Sequence, residues 1–166
     1  METDALKQLL QEKFGENCIL AEDKRSPQTI WQVPTELLPE ICFFLQQNPA
    51  TYFDFLSCIT GIDNGKEVGT MEVIYHLYSI PYNHWAILKV VVPRNQANEP
   101  LPEVPTISHI WKAADWHERE IYDLLGIRFT NHPDLRRILL PADWQGYPLR
   151  KDYKPQENYH GIQVKY

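Results

Sequence analysis

Potential chemistry concentrates between residues 117 and 123, where His117, Glu118, Glu120 and Asp123 fall on what reads as one helix. His117-Glu118 opens like a zinc-protease pattern, in which two histidines four residues apart face one metal. The second position is Ile121, and zinc needs three or four ligands, so the metal reading fails. Glu118, Glu120 and Asp123 could instead serve as a general acid–base set, Glu120 and Asp123 being three apart on one helix face. No nucleophile or substrate pocket accompanies them, and carboxylates on a helix are more often solvated or paired. Arg119, four residues after Asp115, can close such a pair within the helix. There is no GxSxG, GxGxxG or GxxxxGK[ST] pattern, which removes serine-hydrolase, dinucleotide-fold and P-loop chemistry.

Three cysteines, Cys18, Cys42 and Cys58, include no CxxC pair, so a structural zinc or iron–sulfur site has no support. Their odd number, with no signal-peptide h-region, predicts reduced, buried thiols in the cytoplasm. No apolar run approaches the ~20 residues of a spanning helix. The histidines are scattered, and His76 and His84 read as core or surface residues.

Charge is uneven. Residues 128–154 carry six basic side chains against three acidic ones, a balance of +3, which leaves −9 for the rest of a chain of net charge −6. Arg136, Arg137, Arg150 and Lys151, with Trp144 and Tyr147 as stacking platforms, invite a nucleic-acid reading. The −9 elsewhere would repel a phosphate backbone. Arginine, tryptophan and tyrosine are also the residues enriched at protein interface cores, which favours docking to a protein.

Periodicity supplies the elements that must position these groups. Helices are predicted over residues 3–14, with Ala5, Leu6, Leu9, Leu10 and Phe14 on one face, and over 36–47, capped by Thr35. Strands are predicted at 18–21, 29–33, 51–62, 68–80 and 85–92, with an Asn64-Gly65 hairpin between the third and fourth. Residues 94–105 read as a polar connection and residues 108–125 as the main helix, ended by Gly126. Residues 127–129 fit a short strand, and turn signals follow Asn131. The expected fold is α+β: a two-layer domain with helices packed on a mixed, mostly antiparallel sheet, plus an extended C-terminal tail. The division is placed at 1–130 for the scaffold and 131–166 for a partner-docking tail.

The stretch EREIYDLLGIRFTNHPDLRRIL, residues 118–139, resembles the signature of the 30-kDa family (the C subunits) of respiratory complex I, the proton-pumping NADH:quinone oxidoreductase. The match takes in Glu118-Arg119-Glu120, Asp123, Leu124-Leu125, His132, Arg136 and Ile138-Leu139, and continues through LPADWQGYPLRKDY to Tyr153. The resemblance implies a non-catalytic core subunit of the peripheral arm, on the cytoplasmic side of a bacterial inner membrane. It would pack against the large 49-kDa-type subunit (the D subunit), which helps form the quinone pocket, and beside iron–sulfur subunits. FMN, iron–sulfur clusters, NADH and quinone would belong to other subunits, and membrane contact would come only through the complex. Related membrane-bound hydrogenases and complexes with other electron donors share this signature. The residues expected at the partner interface are Glu118, Arg119, Glu120, Asp123, His132, Arg136, Arg137, Trp144, Tyr147, Arg150, Lys151, Asp152 and Tyr153. On this reading Arg137→Ala would weaken assembly more than it lowers the melting temperature.

Overall fold

Alternation of apolar and polar residues along Thr70–Ser79 builds an inner strand of a five-stranded sheet. Met71, Val73, Tyr75 and Leu77 are buried on one face, while Ile74, His76 and Tyr78 on the other are only half-buried. The computed structural model describes residues 3–96 and 98–164. In chain order its elements are helix α1 (Thr3–Phe14), strands β1 (Ala21–Asp23) and β2 (Ile30–Gln32), helix α2 (Leu38–Gln47), and strands β3 (Phe55–Asp63), β4 (Thr70–Ser79), β5 (His84–Pro93) and β6 (Glu103–Pro105). Helix α3 (Ala113–Leu125) and strands β7 (Arg128–Thr130), β8 (Asn158–Tyr159) and β9 (Ile162–Gln163) complete it.

The main sheet runs β1-β2-β5-β4-β3, with β2 and β5 parallel and the other pairs antiparallel. It is the mixed, mostly antiparallel sheet expected, and the fold is α+β. Leu6 and Leu10 of α1, together with Leu38, Ile41, Cys42 and Leu45 of α2, join the buried face of β4 and β5 in one core. Ala5, assigned to that face of α1, is exposed instead. No helix among the described residues is long and apolar enough to cross a membrane.

Helix α3 lies against β3 because Gly61 leaves room for it. A Cβ there would stand 2.5 Å from Leu125 Cδ1 and 3.0 Å from Ile121 Cγ2. Gly126 ends the helix at φ 68°, where a left-handed residue lets the chain leave. A Cβ on Gly126 would also meet the Tyr147 ring at 2.5 Å. Gly126→Ala therefore carries the left-handed penalty of about 1–2 kcal/mol and must displace Tyr147 as well. It is expected to lower the thermal midpoint and raise amide exchange over residues 147–150; an unchanged exchange pattern would remove Tyr147 from the argument.

Several boundaries move for identifiable reasons. The strand expected at 18–21 is a 3₁₀ turn over Glu16–Cys18 followed by β1, and Thr35 opens a 3₁₀ turn over Thr35–Leu37 without a side-chain cap. Thr51 is not in a strand: its hydroxyl donates to the Leu45 carbonyl at 2.8 Å, closing the end of α2, so β3 starts at Phe55. The Asn64-Gly65 turn is a longer loop, because the Asp63 carboxylate accepts the Gly65 N–H at 2.9 Å. The polar connection at 94–105 contains β6, which pairs in parallel with β7 across α3. Helix α3 begins at Ala113 rather than near residue 108, since Glu118 reaches back to hold residues 106 and 107 outside the helix.

Candidate docking surface

Helix α3 carries two fully buried carboxylates, five residues apart, that face different neighbours. Glu118 accepts the Ile107 N–H at 2.8 Å and the Thr106 hydroxyl, and Thr106 in turn bonds Ser108 at 2.9 Å. Burial pushes the Glu118 carboxyl up to about 7, against the pull of those hydrogen bonds. His132 Nε2 lies 3.8 Å from Glu118 Oε2, with its imidazole fully buried. The Asp134 N–H donates to His132 Nδ1 at 3.0 Å, which leaves Nε2–H to donate to the Asp115 carbonyl at 3.2 Å. His132 thus fastens the start of the tail to α3.

Asp123 makes the second fastening. Its Oδ2 accepts three consecutive backbone N–H groups, from Ile138 at 3.0 Å, Leu139 at 2.7 Å and Leu140 at 3.0 Å. Its Oδ1 takes Arg137 Nη1 at 2.8 Å. Burial alone would raise this carboxyl; the Leu140 and Leu139 N–H bonds, Arg137 and the Ile138 N–H outweigh it and hold Asp123 below the ordinary carboxylate range. Arg137 also donates to the Gly146 carbonyl at 3.0 Å. The Tyr147 ring sits between two guanidinium groups, Arg137 at 5.2 Å and Arg150 at 4.9 Å from its centroid. Arg150 Nε donates to the Leu125 carbonyl at 2.6 Å and Nη2 to the Gly126 carbonyl at 3.1 Å, covering the end of α3 with positive charge.

A third fastening lies at the end of β3. Asp63 accepts Arg94 Nε at 2.8 Å and the Lys151 N–H at 2.9 Å, and Arg94 also bonds Asp152. Asp152 pairs with Lys66 at 3.2 Å. Further on, Trp144 Nε1 donates to the Tyr153 hydroxyl at 3.1 Å and the Trp144 ring packs on Tyr159. Beyond Thr130 the described chain has only the short β8–β9 hairpin as regular structure, and these side-chain bonds hold it in place.

The residues expected at a partner interface therefore separate. Glu118, Asp123 and the His132 side chain cannot face a partner, because they are fully buried and bonded within the chain. Arg119 is nearly as buried, 3.7 Å from Asp115 as the helical spacing required. Arg137, Trp144, Tyr147, Arg150 and Tyr153 are half-buried and turned toward α3 or toward one another. Arg137 thus works inside the fold, so its loss is expected to lower the melting temperature rather than spare it. Glu120, Arg136, Lys151 and Asp152 remain exposed.

Exposed apolar residues stand beside them, of which Trp116 lies outside the motif and Leu139 and Leu149 lie within it but were not among the expected interface residues. Trp116 is 62% exposed, and Leu139 and Leu149 are each 60% exposed. The Arg119 guanidinium stacks on Trp116 at 4.9 Å and its Nε reaches the Arg136 carbonyl at 3.4 Å, so Trp116 and residues 134–140 form one continuous flank of α3. Trp116 falls off the apolar stripe of Trp111, Ala114, Ile121 and Leu125, and a large aromatic outside its helix's core face was the available signal. Asp63 and Arg94 had no comparable signal beyond their place at strand ends.

Comparison with known proteins bears on this geometry. Residues 31–159 match the family model described as respiratory-chain NADH dehydrogenase, 30 Kd subunit. The chain is 39% identical over 160 residues to the C subunit of NADH-quinone oxidoreductase from Chlorobium phaeobacteroides, covering 95% of this chain and 92% of that one. It is 43% identical over 127 residues to the C/D subunit of NADH-quinone oxidoreductase from Phocaeicola vulgatus, covering 76% of this chain and 23% of that longer one. Its fold is similar to a chain in the solved membrane-bound sulfane sulfur reductase, an archaeal respiratory membrane complex. The TM-score is 0.71 at 23% identity, over 91% of this chain and 84% of that one.

Proposed function

The chain belongs to the respiratory-chain NADH dehydrogenase 30 Kd subunit family, and from that premise we propose that it is a structural core subunit of the peripheral arm of a proton-translocating NADH:quinone oxidoreductase. It docks on the large, D-type subunit that helps form the quinone site, beside iron–sulfur subunits. It supplies no active site of its own. FMN, iron–sulfur clusters, NADH and quinone act on other subunits, and the assembly places this chain on the cytoplasmic side of a bacterial inner membrane.

The observation that carries the reading is the relative whose name joins the C and D subunits. A fused chain holds its two parts at high effective concentration, which suits parts that assemble. The geometry agrees with a docking role. The prominent carboxylates of α3 are taken up by internal bonds, while Trp116 and Arg136, residue types enriched at interface hot spots, stand outward beside the exposed Leu139.

The test is co-expression with the D-type subunit. Trp116→Ala with Leu139→Ala is expected to weaken co-purification by at least tenfold, since truncated hot-spot residues cost about 2 kcal/mol or more. The thermal midpoint of the isolated chain should hardly move. Co-purification equal to wild type would defeat the assignment of this flank. A hydrogenase or other donor module recovered with the native assembly, in place of the NADH-oxidising subunits, would redirect the reading to a related complex.

A further inference from the structure

An open cleft of about 1020 Å³ separates the chain after β5 from the tail, with Lys66, Arg94, Asn95, Arg150, Asp152 and Lys154 among its lining residues. Four of these six are cations and one is an anion, in a chain whose net charge is −6. Two cations are spent: Arg94 on Asp63 and Asp152, Lys66 on Asp152. Arg150 is different. Its guanidinium is half-buried and bonds only carbonyl oxygens and the face of Tyr147, with no ion pair among the described residues. Burial lowers its proton affinity, with Arg94 nearby adding to the effect. Lys154 is exposed at the same cleft and likewise has no ion pair among the described residues. The cleft thus presents positive charge at Arg150 and Lys154 that no ion pair among the described residues neutralises.

We propose that this cleft receives an extended, acidic segment of the large partner subunit, its carboxylates meeting Arg150 and Lys154. The proposal rests on the assignment of the chain to that assembly. A protein segment fits better than a phosphate polymer or an anionic membrane. Gln145 and Gln156 line the cleft, and their side-chain amides match the donors and acceptors of a peptide backbone. The negative balance of the surrounding chain would oppose a long run of phosphates. Arg150 is already fixed by the end of α3, so little side-chain ordering remains to oppose binding.

The test uses the full chain with the D-type subunit, comparing wild type with Lys154→Glu, an exposed position with no ion pair among the described residues whose reversal should leave the thermal midpoint in place, and with the double variant Lys66→Glu/Lys154→Glu, which also breaks the Lys66–Asp152 pair and is read beside its own thermal midpoint. The double reversal is expected to weaken the complex at least tenfold at low salt, with the difference shrinking as salt is added. A photo-crosslinker at position 156 should mark a stretch of the partner rich in Asp and Glu. Unchanged affinity of the double variant, or a crosslink to a stretch without acids, overturns the cleft proposal while leaving the assembly reading intact. Failure of the wild-type chain to bind the D-type subunit overturns both. Poly-glutamate, phosphatidylglycerol vesicles and oligouridylate, titrated into wild type separately, settle the chemistry. Tighter binding of vesicles or RNA than of poly-glutamate, lost in the double variant, also overturns it.

Discussion

Asp123→Ala is expected to cost about 3–5 kcal/mol, the range for removing one partner from a buried charge pair. For a chain of this size that corresponds to a fall of roughly 10 °C or more in thermal midpoint. The mechanism is specific. Alanine strands Arg137 and the N–H groups of Ile138, Leu139 and Leu140, all of which now end on one carboxylate. Arg137→Ala leaves the three N–H bonds to Asp123 in place and should cost less. In a double-mutant cycle the two losses should be strongly non-additive. Amide exchange should rise first over residues 137–150, since Arg137 also holds the Gly146 carbonyl and the Tyr147 ring. A thermal midpoint within about 2 °C of wild type would show that the fastening contributes little to stability.

Glu118 produces the second large effect, and it depends on pH. Its carboxyl titrates near 7 in the fold, against an ordinary value of 4.5. The folded state therefore binds the proton more tightly than the unfolded chain. The stability this represents is fully present below about pH 4.5 and is lost as pH rises through 7, amounting to about 3 kcal/mol. Other groups run the opposite way. Burial lowers His76 and His84, so their contribution falls as pH drops below the ordinary histidine value. Asp63 and Asp123 lose theirs only in stronger acid. The clean observable is thus the difference between wild type and Glu118→Gln, which keeps the shape but not the titration. Wild type should lose about 2.5 kcal/mol relative to the variant between pH 5 and pH 8, as measured by denaturant unfolding. A difference that stays constant across that window would mean Glu118 titrates as an ordinary carboxylate in the fold. The loss at high pH should be felt at Thr106, Ile107 and His132, which surround the carboxyl.

Local periodicity determined a good deal of this protein. The alternation in β4, the apolar stripe of α3, the left-handed glycine that ends it and the Asp115–Arg119 pair each follow from residues within a few positions of one another. The long spaced pattern from Glu118 to Tyr153 pointed to the family for the same reason: it is a linear record that needs no fold to be read. The direction of the side chains in that pattern was another matter. Glu118 and Asp123 look like surface charges in a helical sequence, yet their partners are Thr106 and Ile107 on one side and residues 137–140 on the other. Asp63 takes the N–H of Lys151 from 88 residues away. The parallel pairing of β6 with β7 likewise depends on α3 bringing Glu103 beside Arg128. A helical or strand period specifies which face of an element is apolar, whereas a buried polar group is satisfied by whatever donor the closed chain carries to it. Sequence alone thus determined the family and the longer elements, though not their boundaries or the short strands such as β6. Only the tertiary structure decided that the charges of α3 hold the segment after Thr130 against the helix, leaving Trp116 and Leu139 exposed beside it.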